Sequence, residues 1–222
     1  MANKKRKKRL RVGRIFLLLI ILGIMAFLFI RFVDIPIRSI YISGNKILTD
    51  QEVIEIAQLE NYPSFFATFS LSVKQKISKN PYVESVKVNK GLLSVKIKIR
   101  EKKVLYIEKE KNEKITSSSK IKDDKILCVP YLINKVPEKK EERFIKAMSK
   151  IDEDMLCQMS EIKYDPNEID EDRYYVYMND GNSVYLTVNK FKKINKYNSI
   201  LENVGKQNGT LYLDYGDYFE AK

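Results

Sequence analysis

Every position from Ile15 to Ile30 is apolar, and beyond Asp34 the chain changes to short segments of period two and period three to four. Ile37–Ser43 alternates around Ile40 and Ile42 and runs into Gly44-Asn45, the pattern of a strand followed by a turn. Leu48-Thr49-Asp50-Gln51-Glu52-Val53 reads as a helix start. Thr49 and Glu52 have capping-box spacing, and Leu48 and Val53 hold the two staple positions. A second helix is expected from Ser70, with Val73 and Ile77 on one face and Asn80-Pro81 ending it. Val86 and Val88, then Leu93, Val95, Ile97 and Ile99, alternate with polar residues about a turn placed at Asn89-Lys90-Gly91. Their polar partners are mostly lysines (Lys87, Lys96, Lys98), so this sheet is expected to be covered on one face only, with a solvated basic face opposite. The order is strand, helix, helix, strand, strand, and two amphipathic helices on one face of a three-stranded sheet would bury both apolar sets.

A second unit follows. Val104–Glu108 reads as a strand, Lys109–Lys125 as a loop or hairpin, and Ile126–Ile133 as an apolar segment around Pro130. Phe144, Met148, Ile151 and Met155 recur at helical spacing behind Pro137 and predict one helix. Ile162 and Tyr164 mark a short strand. Tyr174–Met178 and Ser183–Val188 flank Asn179-Asp180-Gly181-Asn182 as a hairpin, and Phe191, Ile194, Leu201 and Val204 predict a last helix ending at Gly205. Asn208-Gly209 then turns into a final strand, Thr210–Tyr215. The chain therefore divides into a tail (1–14), an apolar helix (15–33), a first domain (34–103) and a β-rich domain with a terminal edge strand (104–222).

The apolar segment, extended to Val33, gives about 28 Å of helix, close to the ~30 Å of a hydrocarbon core. Arg31 sits at its end, where its side chain reaches the interface. A cleaved signal sequence is the rival reading. The run is longer than a signal core, and Phe27–Phe32 contains no small-residue cleavage site, which favours an uncleaved anchor. Lys4, Lys5, Arg6, Lys7, Lys8, Arg9, Arg11 and Arg14 precede it with no acid among them, so the N-terminus is expected in the cytoplasm and the body outside. Contact of this tail with anionic lipid is compatible with that orientation.

Those eight residues also account for most of the net charge of +12, which removes the case for nucleic-acid binding. The chain has no histidine, so Ser-His-Asp and Cys-His catalysis are unavailable. Ser-x-x-Lys occurs at Ser43–Lys46, Ser117–Lys120 and Ser160–Lys163 without a Lys-Thr-Gly or Ser-Asp-Asn companion, and reads as chance in a lysine-rich chain. Neither a metal site nor a cofactor is expected. Cys128 and Cys157 are expected as two free buried thiols, with a disulfide as the alternative that an extracytoplasmic location permits.

Taken in order, the pieces resemble a known family. The basic tail and anchor lead into Ile40-Tyr41-Ile42-Ser43-Gly44-Asn45, then Leu48-Thr49 with Glu52-Val53. Asn80-Pro81-Tyr82-Val83-Glu84-Ser85-Val86-Lys87-Val88, Ile99-Arg100-Glu101-Lys102, Ser160-Glu161-Ile162, Asp180-Gly181 and Leu213-Asp214 follow. This string is similar to the bacterial cell-division proteins of the FtsQ/DivIB family. It departs from them at Val104, where a proline is common, in the absence of the usual glycine at 61–68, and in stopping soon after the last strand. The resemblance implies an α+β protein: a transmembrane helix, a polypeptide-transport-associated (POTRA) domain of order β-α-α-β-β, and a mixed α/β domain with a largely antiparallel sheet. It implies a non-enzymatic septal scaffold that joins FtsL and DivIC (FtsB in other bacteria) and regulates septal peptidoglycan synthesis. A POTRA-bearing transport or secretion component is the alternative.

Binding is expected at the last strand. As a sheet edge, Thr210, Leu211, Tyr212, Leu213, Asp214 and Tyr215 would offer unpaired backbone groups to an incoming strand. Tyr212, Tyr215, Tyr218 and Phe219 are the candidate aromatic anchors. The opposing reading is that one parity of this strand faces the core. Contact of the basic hairpin face with cell-wall polymer or lipid headgroups is a weaker expectation.

Overall fold

The computed structural model describes residues 12–205 and 207–222. The basic residues Lys4–Arg11 lie outside the described residues. The chain separates into two compact units, divided between Arg100 and Glu101.

The first unit opens with helix α1 (Val12–Val33). Its segment Gly13–Val33 is the one helix among the described residues long and apolar enough to cross a membrane. The POTRA fold follows: β1 (Ser39–Ser43), α2 (Asp50–Ala57), α3 (Ser70–Ser78), β2 (Val83–Gly91) and β3 (Ser94–Glu101), in sheet order β1-β3-β2. β1 runs parallel to β3, with Ile40 opposite Val95 and Ile42 opposite Ile97. The capping box forms as its spacing predicts. The Thr49 hydroxyl accepts from the Glu52 N–H, and the Glu52 carboxylate accepts from the Thr49 N–H at 2.7 Å. Leu48 and Val53 are buried beside it. Val53, Ala57, Val73 and Ile77 from the helices and Val86, Val95, Ile97 and Ile99 from the sheet are all buried, while Lys87, Lys96 and Lys98 remain exposed. At Gly44 (φ +84°) a Cβ would collide with the Ile99 carbonyl, so the turn after β1 admits only glycine.

The hairpin turn differs from expectation. It lies at Leu92-Leu93, not Asn89-Lys90-Gly91, and Leu93 adopts φ +51°. β2 continues through Lys90 because the Lys90 ammonium lies 3.9 Å from the Phe65 ring and donates to the carbonyls of Phe65 and Thr68.

The second unit is one nine-stranded sheet with helices on a single face. Its elements are β4 (Val104–Glu108), β5 (Glu113–Thr116), β6 (Lys120–Ile121), β7 (Tyr131–Leu132), α4 (Glu138–Met148), α5 (Glu153–Leu156), β8 (Met159–Tyr164), β9 (Arg173–Met178) and β10 (Ser183–Thr187). A 3-10 helix (Val188–Lys196), α6 (Tyr197–Asn203), β11 (Gly209–Tyr212) and β12 (Tyr218–Ala221) complete it. The sheet order is β12-β11-β10-β9-β8-β7-β4-β5-β6. Pairing is antiparallel except for β10–β11, β4–β7 and β7–β8. At the centre of the core Phe144 stacks on Tyr174 at 4.7 Å and touches Tyr106 and Phe191 at 5.1 and 5.8 Å.

The helix expected from Pro137 through Met155 is split into α4 and α5. Asn195 binds both sides of the break: its Oδ1 accepts from the Asp152 N–H at 2.9 Å and its Nδ2 donates to the Lys150 carbonyl at 3.1 Å. All four apolar positions that predicted the helix are nonetheless buried.

The cysteine expectation is overturned. Cys128 and Cys157 form a disulfide with Cα atoms 4.7 Å apart, and Cys128 is exposed rather than buried. The topology explains the meeting. β7 and β8 are parallel neighbours, so the segments that enter them arrive side by side at the same end of the sheet, and each carries one cysteine. Replacing Cys157 with serine should lower the stability of the oxidised protein by about 3 kcal/mol, the usual scale for opening a loop of this length. The midpoint of thermal unfolding under non-reducing conditions measures it.

Candidate functional site

The region singled out at the end of the chain is more elaborate than one strand. Thr210–Tyr212 belongs to β11, which pairs with β10 on one side and β12 on the other. The expected terminal strand is therefore one position inside the sheet, and the edge is Tyr218–Ala221. Gly209 permits this: a Cβ there would strike the Glu220 carbonyl and sit 2.7 Å from the Phe219 ring. Its N–H donates to the Asn182 side chain at 2.7 Å, tying the start of β11 to the β9–β10 turn.

The eight predicted residues divide by parity. Leu211 and Leu213 are 1% exposed and face the core, and Phe219 packs against the same core. The side chains of Leu211 and Leu213 belong to the core parity, and because β11 is paired on both sides their backbone is not the open edge expected; that edge is β12. Asp214 is also used internally. Its carboxylate accepts from Arg173 Nε at 2.8 Å, and Arg173 also pairs with Asp165 at 3.3 Å. Burial works against the Arg173 charge, but the hydrogen bond to Asp214 and the neighbouring groups outweigh it and raise its pKa above the usual value. Thr210 and Tyr212 lie on the opposite, outer parity, as do Tyr218 and Glu220 across β12. Tyr215 and Tyr218 are exposed, at 85% and 54%.

The outer face carries a feature not foreseen from the sequence. Tyr175, Tyr185, Tyr212 and Tyr218, one from each of β9 to β12, form a continuous row with ring centroids 4.6, 5.2 and 4.6 Å apart. Arg173 lies 3.6 Å over the Tyr185 ring. Tyr212 donates to Glu220 at 3.0 Å, and that hydrogen bond is the main cause raising its phenol pKa to about 12. Cross-strand aromatic pairs of this kind stabilise a sheet by up to about 1 kcal/mol each. The signal was present as one tyrosine per strand on the parity opposite the aliphatic residues, but it needed the strand registers to become visible.

Two lysines of the 3-10 helix hold the β11–β12 turn. Lys190 donates to the Asp214 carbonyl at 2.8 Å, and Lys193 pairs with Asp217 at 2.6 Å, drawing the Asp217 pKa below its ordinary value. The backbone of β12 is then fixed in register. Lys222 N–H donates to the Asn208 carbonyl, which makes Thr210–Glu220 and Tyr212–Tyr218 the hydrogen-bonded pairs. Phe219 and Ala221 alternate with these, so their N–H and C=O groups point away from β11.

The opposite edge, β6, is two residues long. Short strands with an exposed lysine are poor templates for an incoming strand. Of the Ser-x-x-Lys lysines, Lys120 is engaged by Glu141 at 3.0 Å and Lys163 by Asp165 at 2.9 Å. Among the described residues no group of three His, Cys, Asp or Glu side chains is placed to hold a metal.

A membrane-capable helix, a POTRA domain and a β domain with one presentable edge define a class of bitopic envelope proteins. Comparison narrows the class. Residues 35–102 match the family model "POTRA domain, FtsQ-type". The chain is 26% identical to the cell division protein DivIB of Bacillus subtilis, covering 97% of this chain and 87% of that protein. It is 27% identical to the DivIB of Listeria monocytogenes, with 99% and 85% covered. The solved extracytoplasmic domain of DivIB from Geobacillus stearothermophilus aligns with 48% of this chain and 96% of its own at 23% identity and a TM-score of 0.39. Over nearly its whole length the chain is similar to DivIB cell division proteins, and residues 35–102 match an FtsQ-type POTRA domain.

Replacing Asp214 with alanine should cost about 3 kcal/mol, because it leaves the largely buried Arg173 short of its main partner. Chemical denaturation of the purified protein checks the loss. A change below about 0.5 kcal/mol would place the pair with ordinary surface ion pairs.

Proposed function

We propose that this protein is a non-enzymatic scaffold of the bacterial divisome. In this reading α1 holds it in the membrane with the N-terminus in the cytoplasm and the body outside, at the division septum. It links FtsL- and DivIC/FtsB-like bitopic partners and through them regulates septal peptidoglycan synthesis. The DivIB relatives are cell division proteins by name, and their likeness extends over nearly the whole chain. The orientation is supported by the eight basic residues ahead of α1.

The observation that carries the reading is the outer side of β12. It presents the Phe219 and Ala221 backbone groups in extended geometry beside an exposed tyrosine, at an edge with no bulge. Strand addition uses this arrangement: main-chain hydrogen bonds supply affinity and alternate side chains supply specificity. A partner strand laid on β12 would meet Tyr218 and Glu220 on the outer face. Tyr215, in the turn just before β12, stands exposed as a further anchor.

Ala221→Pro tests this directly. The substitution removes one outward N–H and places a ring where the partner strand must lie, while the hydrogen bonds from β12 to β11 use other residues. Loss of one hydrogen bond together with the obstruction should weaken partner binding at least about tenfold, or ~1.4 kcal/mol. Ala221→Ser, which keeps the N–H, should bind normally. Full binding by a folded proline variant would remove β12 as the docking edge. Depletion of the protein should give filamentous cells without septa. Normal division together with a block in protein export would favour the transport reading instead.

A further inference from the structure

We infer that the POTRA domain is docked on the membrane surface, with the 61–69 loop, the first turn of α3 and the Leu92 hairpin tip seated in the lipid interface. The inference rests on reading α1 as membrane-spanning. Its 21 residues from Gly13 to Val33 rise about 31 Å, the thickness of a hydrocarbon core, so Phe32 and Val33 stand at the outer boundary.

The loop is fastened to that boundary. The Phe66 ring lies 4.5 Å from the Phe32 ring, and the Ser64 hydroxyl donates to the Val33 carbonyl. Phe65 N–H donates to the Ile35 carbonyl at 2.8 Å, and Ile37 N–H to the Pro63 carbonyl at 3.1 Å. The hairpin tip is brought to the same end. β1 and β3 are parallel and begin together at Ser39 and Ser94, and the Arg38 N–H donates to the Leu93 carbonyl at 2.7 Å. Lys90 closes the gap by donating to the carbonyls of Phe65 and Thr68. The end of the domain at which α1 exits therefore carries both segments.

What these segments expose is apolar. Tyr62, Phe69, Leu71 and Leu92 are 53%, 68%, 66% and 95% exposed. Two-residue hairpin turns favour Asn-Gly and Asp-Gly, because positive φ is costly for branched side chains. Here the turn is Leu92-Leu93 with Leu93 at φ +51°, and Tyr62 is held at φ +50°. Neither the strain nor the exposure serves the domain core. Both suit an interface where aromatic rings sit at headgroup level and leucines enter the acyl boundary.

The test uses the full chain with its native disulfide intact, in nanodiscs of phosphatidylglycerol and phosphatidylethanolamine. An environment-sensitive fluorophore is attached to a single added cysteine at Leu92→Cys, with lipids carrying shallow nitroxide quenchers. Met25→Cys, inside α1, and Gln51→Cys, at the start of α2 and the opposite end of the domain, are the references. Docking predicts a blue-shifted probe at position 92, quenched several-fold more than at position 51. It also predicts that Phe69→Ser reduces that quenching. A blue-shifted probe at 25, with 92 no more quenched than 51, overturns the docking and leaves the anchor standing. A probe at 25 outside the lipid overturns both.

Discussion

The parallel pairing of β10 with β11 governs the architecture of the second unit. Parallel neighbours cannot be joined by a tight turn, so the chain must cross from the end of β10 back to the start of β11. The crossover is made of the 3-10 helix and α6. Phe191, Ile194 and Tyr197 bury it against the face already covered by α4 and α5. With both sets of helices on one face, the other face of β9 to β12 is left to solvent and to side chains that tolerate it. That is where the tyrosine row stands.

The same crossover decides what the edge can be. β11 enters in a direction that a short turn can reverse, and β12 returns antiparallel beside it. Gly209 allows the close approach, the Lys190 and Lys193 contacts hold the turn, and the Arg173–Asp214 pair fastens the segment just after β11 on the outer face. β12 is thus held along one side by backbone and at its start by charge, while its outward groups remain unpaired by β11. An edge that is ordered in advance loses less conformational entropy when a second strand is laid on it.

Much of this fold is legible in the sequence. Local chemistry carries the POTRA unit: Thr49 and Glu52, set between Leu48 and Val53, mark a helix start, and period-two alternation from Val95 to Ile99 needs no partner to be read. The failures share one physical cause, dependence on residues distant in sequence. The turn at Leu92-Leu93 is displaced because Lys90 finds Phe65 and Thr68. The break between α4 and α5 needs Asn195, more than forty positions away. The disulfide needs β7 and β8 to be parallel neighbours. At the candidate site, Tyr212, Tyr215, Tyr218 and Phe219 were identified as aromatic, but their roles depended on β12. That four-residue strand sits behind Gly216-Asp217 and was hidden by the longer alternation of Thr210–Tyr215.

Whether a partner occupies the outward backbone groups of β12 decides the proposed docking edge. Residue-resolved amide exchange of the extracytoplasmic body, with and without the extracytoplasmic part of a DivIC-type partner, addresses this most directly. Alone, Glu220 should be protected by its pairing with β11, while Phe219 and Ala221 exchange freely. With partner bound, Phe219 and Ala221 should become protected to a degree comparable with Glu220. Binding that leaves those two amides as fast as before would contradict the account and move the interface away from this edge.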